Sequence, residues 1–138
     1  MKPITFGVLC LISIAYGSKQ DVVNTIDNWS DLFDRNHKKC VTETEVTEED
    51  ATDVFRTLKF PNNHKFKCFI KCQMQNLNFL TSEGEPNTQI LIQQAKSVDE
   101  KTIKEAWDIA SNETDVCAKA YAFVKNGAHS ILKELEAQ

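Results

Sequence analysis

Five cysteines are the residues of this 138-residue chain best placed to do chemistry, and four of them, Cys40, Cys68, Cys72 and Cys117, lie beyond its apolar beginning. Thiols in that number either cross-link a chain or hold a metal ion. A zinc site usually draws on two short-spaced ligand pairs. Here Cys-x3-Cys occurs once, Cys117 has no neighbouring ligand, and His37, His64 and His129 are scattered. The spacing therefore predicts disulfides and no metal. On a helix, Cys68 and Cys72 share a face with Cβ atoms roughly 5–6 Å apart, whereas a disulfide brings them to about 3.8 Å. They should not bond to each other. Each must reach Cys40 or Cys117, which leaves two pairings open.

The fifth thiol, Cys10, belongs to an apolar stretch from Ile4 to Ala15 that follows Lys2. The stretch is too short to span a bilayer, and Ala15-Tyr16-Gly17 puts small residues at the −3 and −1 positions of a cleavage site. This reads as an export signal over 1–17 and a helical domain over 18–138. Cleavage after Gly17 removes one lysine and no acid, leaving 121 residues at a net charge of −5. That is one domain's worth of chain. No basic stripe is available to neutralise phosphates, so nucleic acid is excluded as a partner. No later run is long and apolar enough for membrane insertion. The expectation is a secreted, extracellular protein in which disulfides persist.

The elements that must position the cysteines are helices. Gly and Pro number only 4 and 3, and β-branched alternation is absent. Val22, Val23, Ile26, Trp29, Leu32 and Phe33 recur at helical spacing. A second helix starts at Thr47, with Glu48, Glu49 and Asp50 in its first turn, and carries Val54, Phe55 and Leu58 before Pro61 stops it. A third runs from about Lys65 to Phe79, ahead of the break at Ser82-Glu83-Gly84-Glu85-Pro86. A fourth spans Thr88 to about Lys96. A fifth opens with Ser97 as cap and Glu100 three residues on, a capping box, and shows Ile103, Ala106, Trp107 and Ala110 on one face. The sixth begins near Thr114-Asp115 and stops at Asn126-Gly127. A short C-terminal amphipathic helix carries Ile131, Leu132 and Leu135. The predicted fold is an all-α, compact six-helix domain stapled by disulfides.

Catalysis finds no support. There is no assignable nucleophile–base pair, no glycine-rich phosphate loop and no His-Glu-x-x-His helix. The chain is read as a non-enzyme with no cofactor.

The cysteine pattern resembles the insect odorant-binding protein family, the pheromone and general odorant binders. Cys68-Phe69-Ile70-Lys71-Cys72 matches the family's second and third cysteines, Cys40 its first, and Asp115-Val116-Cys117-Ala118-Lys119-Ala120 its Asp-x-Cys-x-x-Ala segment around the fifth. The family's fourth cysteine would fall near Ala106 to Asp108 and its sixth at Asn126, and neither is present. Both halves of one bridge are thus missing and both halves of two are kept. The resemblance implies the pairing Cys40–Cys72 and Cys68–Cys117, and a helix five to helix six edge without its tie, where Trp107 could pack instead.

The same resemblance implies a carrier that holds a small hydrophobic molecule in an apolar cavity between helices, with a membrane receptor as a downstream partner. Candidate walls are Phe55, Leu58, Phe69, Leu77, Leu80, Ile92, Trp107, Tyr121 and Phe123, with the Tyr121 hydroxyl offered to a polar ligand group. The C-terminal piece would fold over the cavity mouth. Two N-glycosylation sequons occur in this exported chain, Asn28-Trp29-Ser30 and Asn112-Glu113-Thr114, of which Asn112 falls in a predicted loop. Two rivals carry the same features: a secreted helical signalling protein acting through its surface, and a carrier working in haemolymph or reproductive fluid rather than in olfaction.

Overall fold

The computed structural model describes residues 19–138, and the expected signal segment 1–17 lies outside them. Eight helical segments follow one another: α1 (19–34), α2 (His37–Thr44), α3 (Glu48–Ala51), α4 (Val54–Thr57), α5 (His64–Asn76), α6 (Thr88–Gln94), α7 (Glu100–Ala110) and α8 (Val116–Ala137). No β-strand occurs among the described residues; one isolated bridge, Leu80 to Pro86, closes the loop before α6. The fold is all-α.

Local chemistry explains most boundaries. Thr47 accepts from the Asp50 amide at 3.2 Å and starts α3. Asn63 accepts from Phe66 N at 2.8 Å at the head of α5, and Asp115 from Ala118 N at 2.8 Å at the head of α8. Each satisfies a donor that the first helical turn leaves unpaired. At α7 the capping box expected from Ser97 is not formed. Asp99 is the cap, accepting from Thr102 N at 2.8 Å. Ser97 sits in the left-handed region and its hydroxyl instead meets Thr25 Oγ1 of α1 at 2.7 Å.

Three other boundaries differ from the sequence reading. The helix expected from Thr47 to Pro61 is two short helices, because Asp53 turns left-handed between them and Leu58 does so after the second. The third predicted helix stops at Asn76 rather than Phe79, where Asn78 turns left-handed and Phe79 N bonds back to Met74 O at 2.9 Å. The expected stop at Asn126-Gly127 is absent, so α8 continues for 22 residues and absorbs the predicted C-terminal helix. Asn126 Nδ2 donates to Ala122 O one turn back. Glycine inside a helix costs about 1 kcal/mol relative to alanine. Burial of Ala128, Ile131 and Leu132 after it outweighs that cost.

Helix α5 is the centre of the molecule. Phe66, Phe69 and Ile70 on it are completely buried, and it lies against α2 and α8 while α7 lies along α8. Both disulfides end on it. Cys72 is bonded to Cys40 of α2 with Cα atoms 5.7 Å apart, and Cys68 to Cys117 of α8 with Cα atoms 4.6 Å apart. One face of a single helix is thereby tied to two others. The N-terminal helix is tied differently, by polar side chains. Trp29 Nε1 donates to Lys96 O at 3.0 Å, and Asn28 Oδ1 accepts from Lys96 N at 2.8 Å. These contacts clasp α1 to the turn between α6 and α7.

Candidate ligand-binding cavity

Between these helices lies an apolar cavity of about 80 Å³. Helix α1 contributes Trp29, Leu32 and Phe33, α4 contributes Phe55, and Met74 and Phe79 come from α5 and the turn after it. Leu91 and Ala95 enter from α6 and its C-terminus. Val98, Thr102, Ile103 and Ala106 form the α7 side, and Phe123, Val124, Gly127, Ala128 and Ile131 the α8 side. The aromatic wall is fixed by edge-to-face contacts. Phe55 stands 5.4 Å from Trp29 and 4.7 Å from Phe33, centre to centre.

Among the lining residues only Trp29 and Thr102 carry an N–H or O–H group on the side chain. Asp99, the cap of α7, is held below the ordinary carboxyl range first by the Thr102 amide and then by the Thr102 hydroxyl. Two other pockets are larger, about 200 and 440 Å³. Their walls include Asp34, His37, Asp53 and Arg56 in one and Arg35, Asn36, Asn76 and Gln93 in the other. An apolar guest meets walls of carbon in the smaller space and polar groups in the other two, so this cavity is the candidate site.

Of the nine candidate walls, the structure brings two together here, Phe55 and Phe123. Phe69 is fully buried but belongs to the aromatic cluster behind the wall, 6.3 Å from Phe33 and 6.0 Å from Phe66. Leu80 is buried and Leu77 half-buried, both outside the lining. Trp107 covers Phe123 edge-on from outside at 5.7 Å. The Tyr121 hydroxyl is already committed, donating to Phe60 O at 2.7 Å. Leu58, 37% exposed, and Ile92, 44% exposed, are surface residues and not walls. Ile92 follows buried Leu91, and one residue along a helix turns a side chain by about 100° away from the core. Nor does a separate tail cover the cavity: Ile131 reaches it as part of α8.

Sequence reading missed what makes the room. Trp29, Leu32 and Phe33 form the apolar stripe of α1 and Ala106 lies on the apolar face of α7, but none of these, nor Ala95, Gly127 or Ala128, is marked by the sequence as a wall. The available signal was a run of small residues on facing helices. The sequons also separate. Asn112 is exposed on the turn after α7, whereas both amide atoms of Asn28 are engaged, with Lys96 N and, at 3.3 Å, with Gln94 O. His64 Nε2 lies 3.5 Å from Cys68 Sγ and groups with Cys117. Those two sulfurs are bonded to each other and are not free thiolate ligands.

The sequence profile of the PBP/GOBP family matches residues 24–125, from α1 into α8. The chain belongs to this family, the insect odorant-binding proteins. No curated protein and no solved structure matches it at a significant level. PBP/GOBP proteins are binding proteins rather than enzymes. In this PBP/GOBP chain the cavity wall continues past the matched region, through Gly127, Ala128 and Ile131. Helices α7 and α8 meet through Trp107 against Phe123 and through Gly127 beside Ala106. No helix among the described residues is long and apolar enough to cross a membrane.

Proposed function

We propose that this chain is exported by a signal peptide at 1–17 and that its domain, 18–138, carries small hydrophobic molecules through an extracellular fluid, for delivery to a membrane receptor. The observation that carries this reading is the carbon-lined cavity inside a disulfide-tied helical frame of the odorant-binding family. Removing a guest's apolar surface from water supplies the affinity, at about 25 cal/mol per Å² before the costs of association. An engineered apolar void of 150 Å³ is enough to hold benzene, so guests of that size require the walls here to yield. Met74, with its flexible thioether chain, is the wall residue best able to do so. Asn112 is the proposed glycan acceptor, because Asn28 serves as the clasp on α6.

A ligand that binds only the folded state raises stability by about 2.7 kcal/mol at one hundred times its dissociation constant. The melting temperature of the mature protein should therefore rise by several degrees in the presence of toluene, and keep rising with the logarithm of its concentration. No rise, together with saturable binding of the protein to a cell surface, would favour a signalling role over a carrier.

A further inference from the structure

The cavity wall is almost entirely carbon. Of the two lining side chains with an N–H or O–H group, Trp29 Nε1 is engaged with Lys96 O at 3.0 Å, and Thr102 brings the one hydroxyl. Two main-chain carbonyls at the non-helical parts of the wall are engaged too. Phe79 O accepts from Asn87 N at 2.8 Å, and Ala95 O from Val98 N at 3.3 Å. The Met74 sulfur is a weak acceptor at best. Gln73 Oε1 is the one buried side-chain polar atom without a partner among the described residues, and Gln73 is not part of the lining. A hydroxyl or carbonyl brought into this space would give up its water for little in exchange.

Gly127 bears on the size of the space. A Cβ built there would stand 3.6 Å from Ala106 Cβ, an ordinary van der Waals contact, with nothing else within 4 Å. Alanine would therefore fit, and it is the better helix former. Both residues line the cavity, so the missing methyl is room for the guest.

The geometry points to a carrier selective for compact guests that have no hydrogen-bonding group, small arenes and cyclic or branched hydrocarbons, with Gly127 keeping the space they occupy. This rests on the carrier reading above and specifies its ligand class. Calorimetric titration of the mature protein with toluene and with phenol, which is close to it in shape, tests it. Toluene should bind about 100-fold tighter, the scale on which an apolar pocket rejects an added hydroxyl. Phenol binding as tightly or more tightly would overturn the proposed selectivity while leaving the carrier reading intact. Neither compound binding would remove the carrier reading itself, and the selectivity with it. Gly127→Ala should melt no lower than the parent yet bind toluene about 10-fold more weakly, the effect of one methylene in a filled pocket. A variant that melts normally and keeps full toluene affinity would overturn the role assigned to Gly127.

Discussion

Replacing the Cys68–Cys117 pair by alanine cuts the tie between α5, the central helix, and α8, the longest, which form the frame behind the cavity. The bridge closes a separation of 49 residues and Cys40–Cys72 one of 32. Chain-entropy treatment turns these into about 4.1 and about 3.7 kcal/mol at 25 °C, as upper figures. A domain of this length has roughly 6–18 kcal/mol of stability in all, so either loss is a large fraction. At this size 1 kcal/mol moves the melting temperature by roughly 3–5 °C. Each double variant should therefore melt roughly 10–20 °C below the parent, followed by circular dichroism under oxidising conditions. The entropic difference between the two pairs is too small to rank them, and fully buried Cys40 adds a packing loss to its own variant. If both double variants melted within about 4 °C of the parent, the bridges would not be the frame's main ties, and the reasoning from loop length would fail.

Three further outcomes follow from particular contacts. Tyr121→Phe removes the hydroxyl that holds Phe60 O, and should cost about 1 kcal/mol in denaturant unfolding while leaving toluene affinity unchanged; a loss of affinity without a loss of stability would put that hydroxyl in the site. Asp99→Ala removes the cap of α7 and should cost about 0.5–2 kcal/mol. Because the folded-state carboxyl titrates below its ordinary value, its contribution is complete above about pH 4 and fades as the pH falls through that lower value, so parent and variant should converge in acid; a constant gap down to pH 2 would contradict this. In a secretory host, glycosidase treatment should shift the parent by one glycan and leave Asn112→Gln unshifted, whereas a shift that disappeared only in Asn28→Gln would place the sugar on the clasp.

Much of the architecture could be read from periodicity and spacing, and the failures have physical causes. The stripe from Val22 to Phe33, the acidic first turn after Thr47 and the break around Gly84 are local signals, and each marks a real boundary or face. The interruption at Asp53 is not local: a left-handed aspartate carries no fixed sequence mark, and packing of Val54 and Phe55 into the core decides it. At Gly127 the local signal pointed the wrong way. Glycine is common where helices end, but here the helix continues because its later apolar residues are buried. The site was less legible than the fold. Large apolar residues are easily noticed, yet a cavity is made by missing volume, at Ala95, Ala106, Gly127 and Ala128, where nothing large stands. Tyr121 illustrates the reverse error: a hydroxyl free in the sequence is used up by a carbonyl 61 residues away.

The most direct measurement is an amide chemical-shift titration of ¹⁵N-labelled mature protein with toluene. The account predicts saturable shifts concentrated at Thr102, Ala106, Gly127 and Ala128, on the α7 and α8 walls. Shifts confined to surface positions such as Ile92 and Leu58, or none at all up to the solubility of toluene, would contradict it.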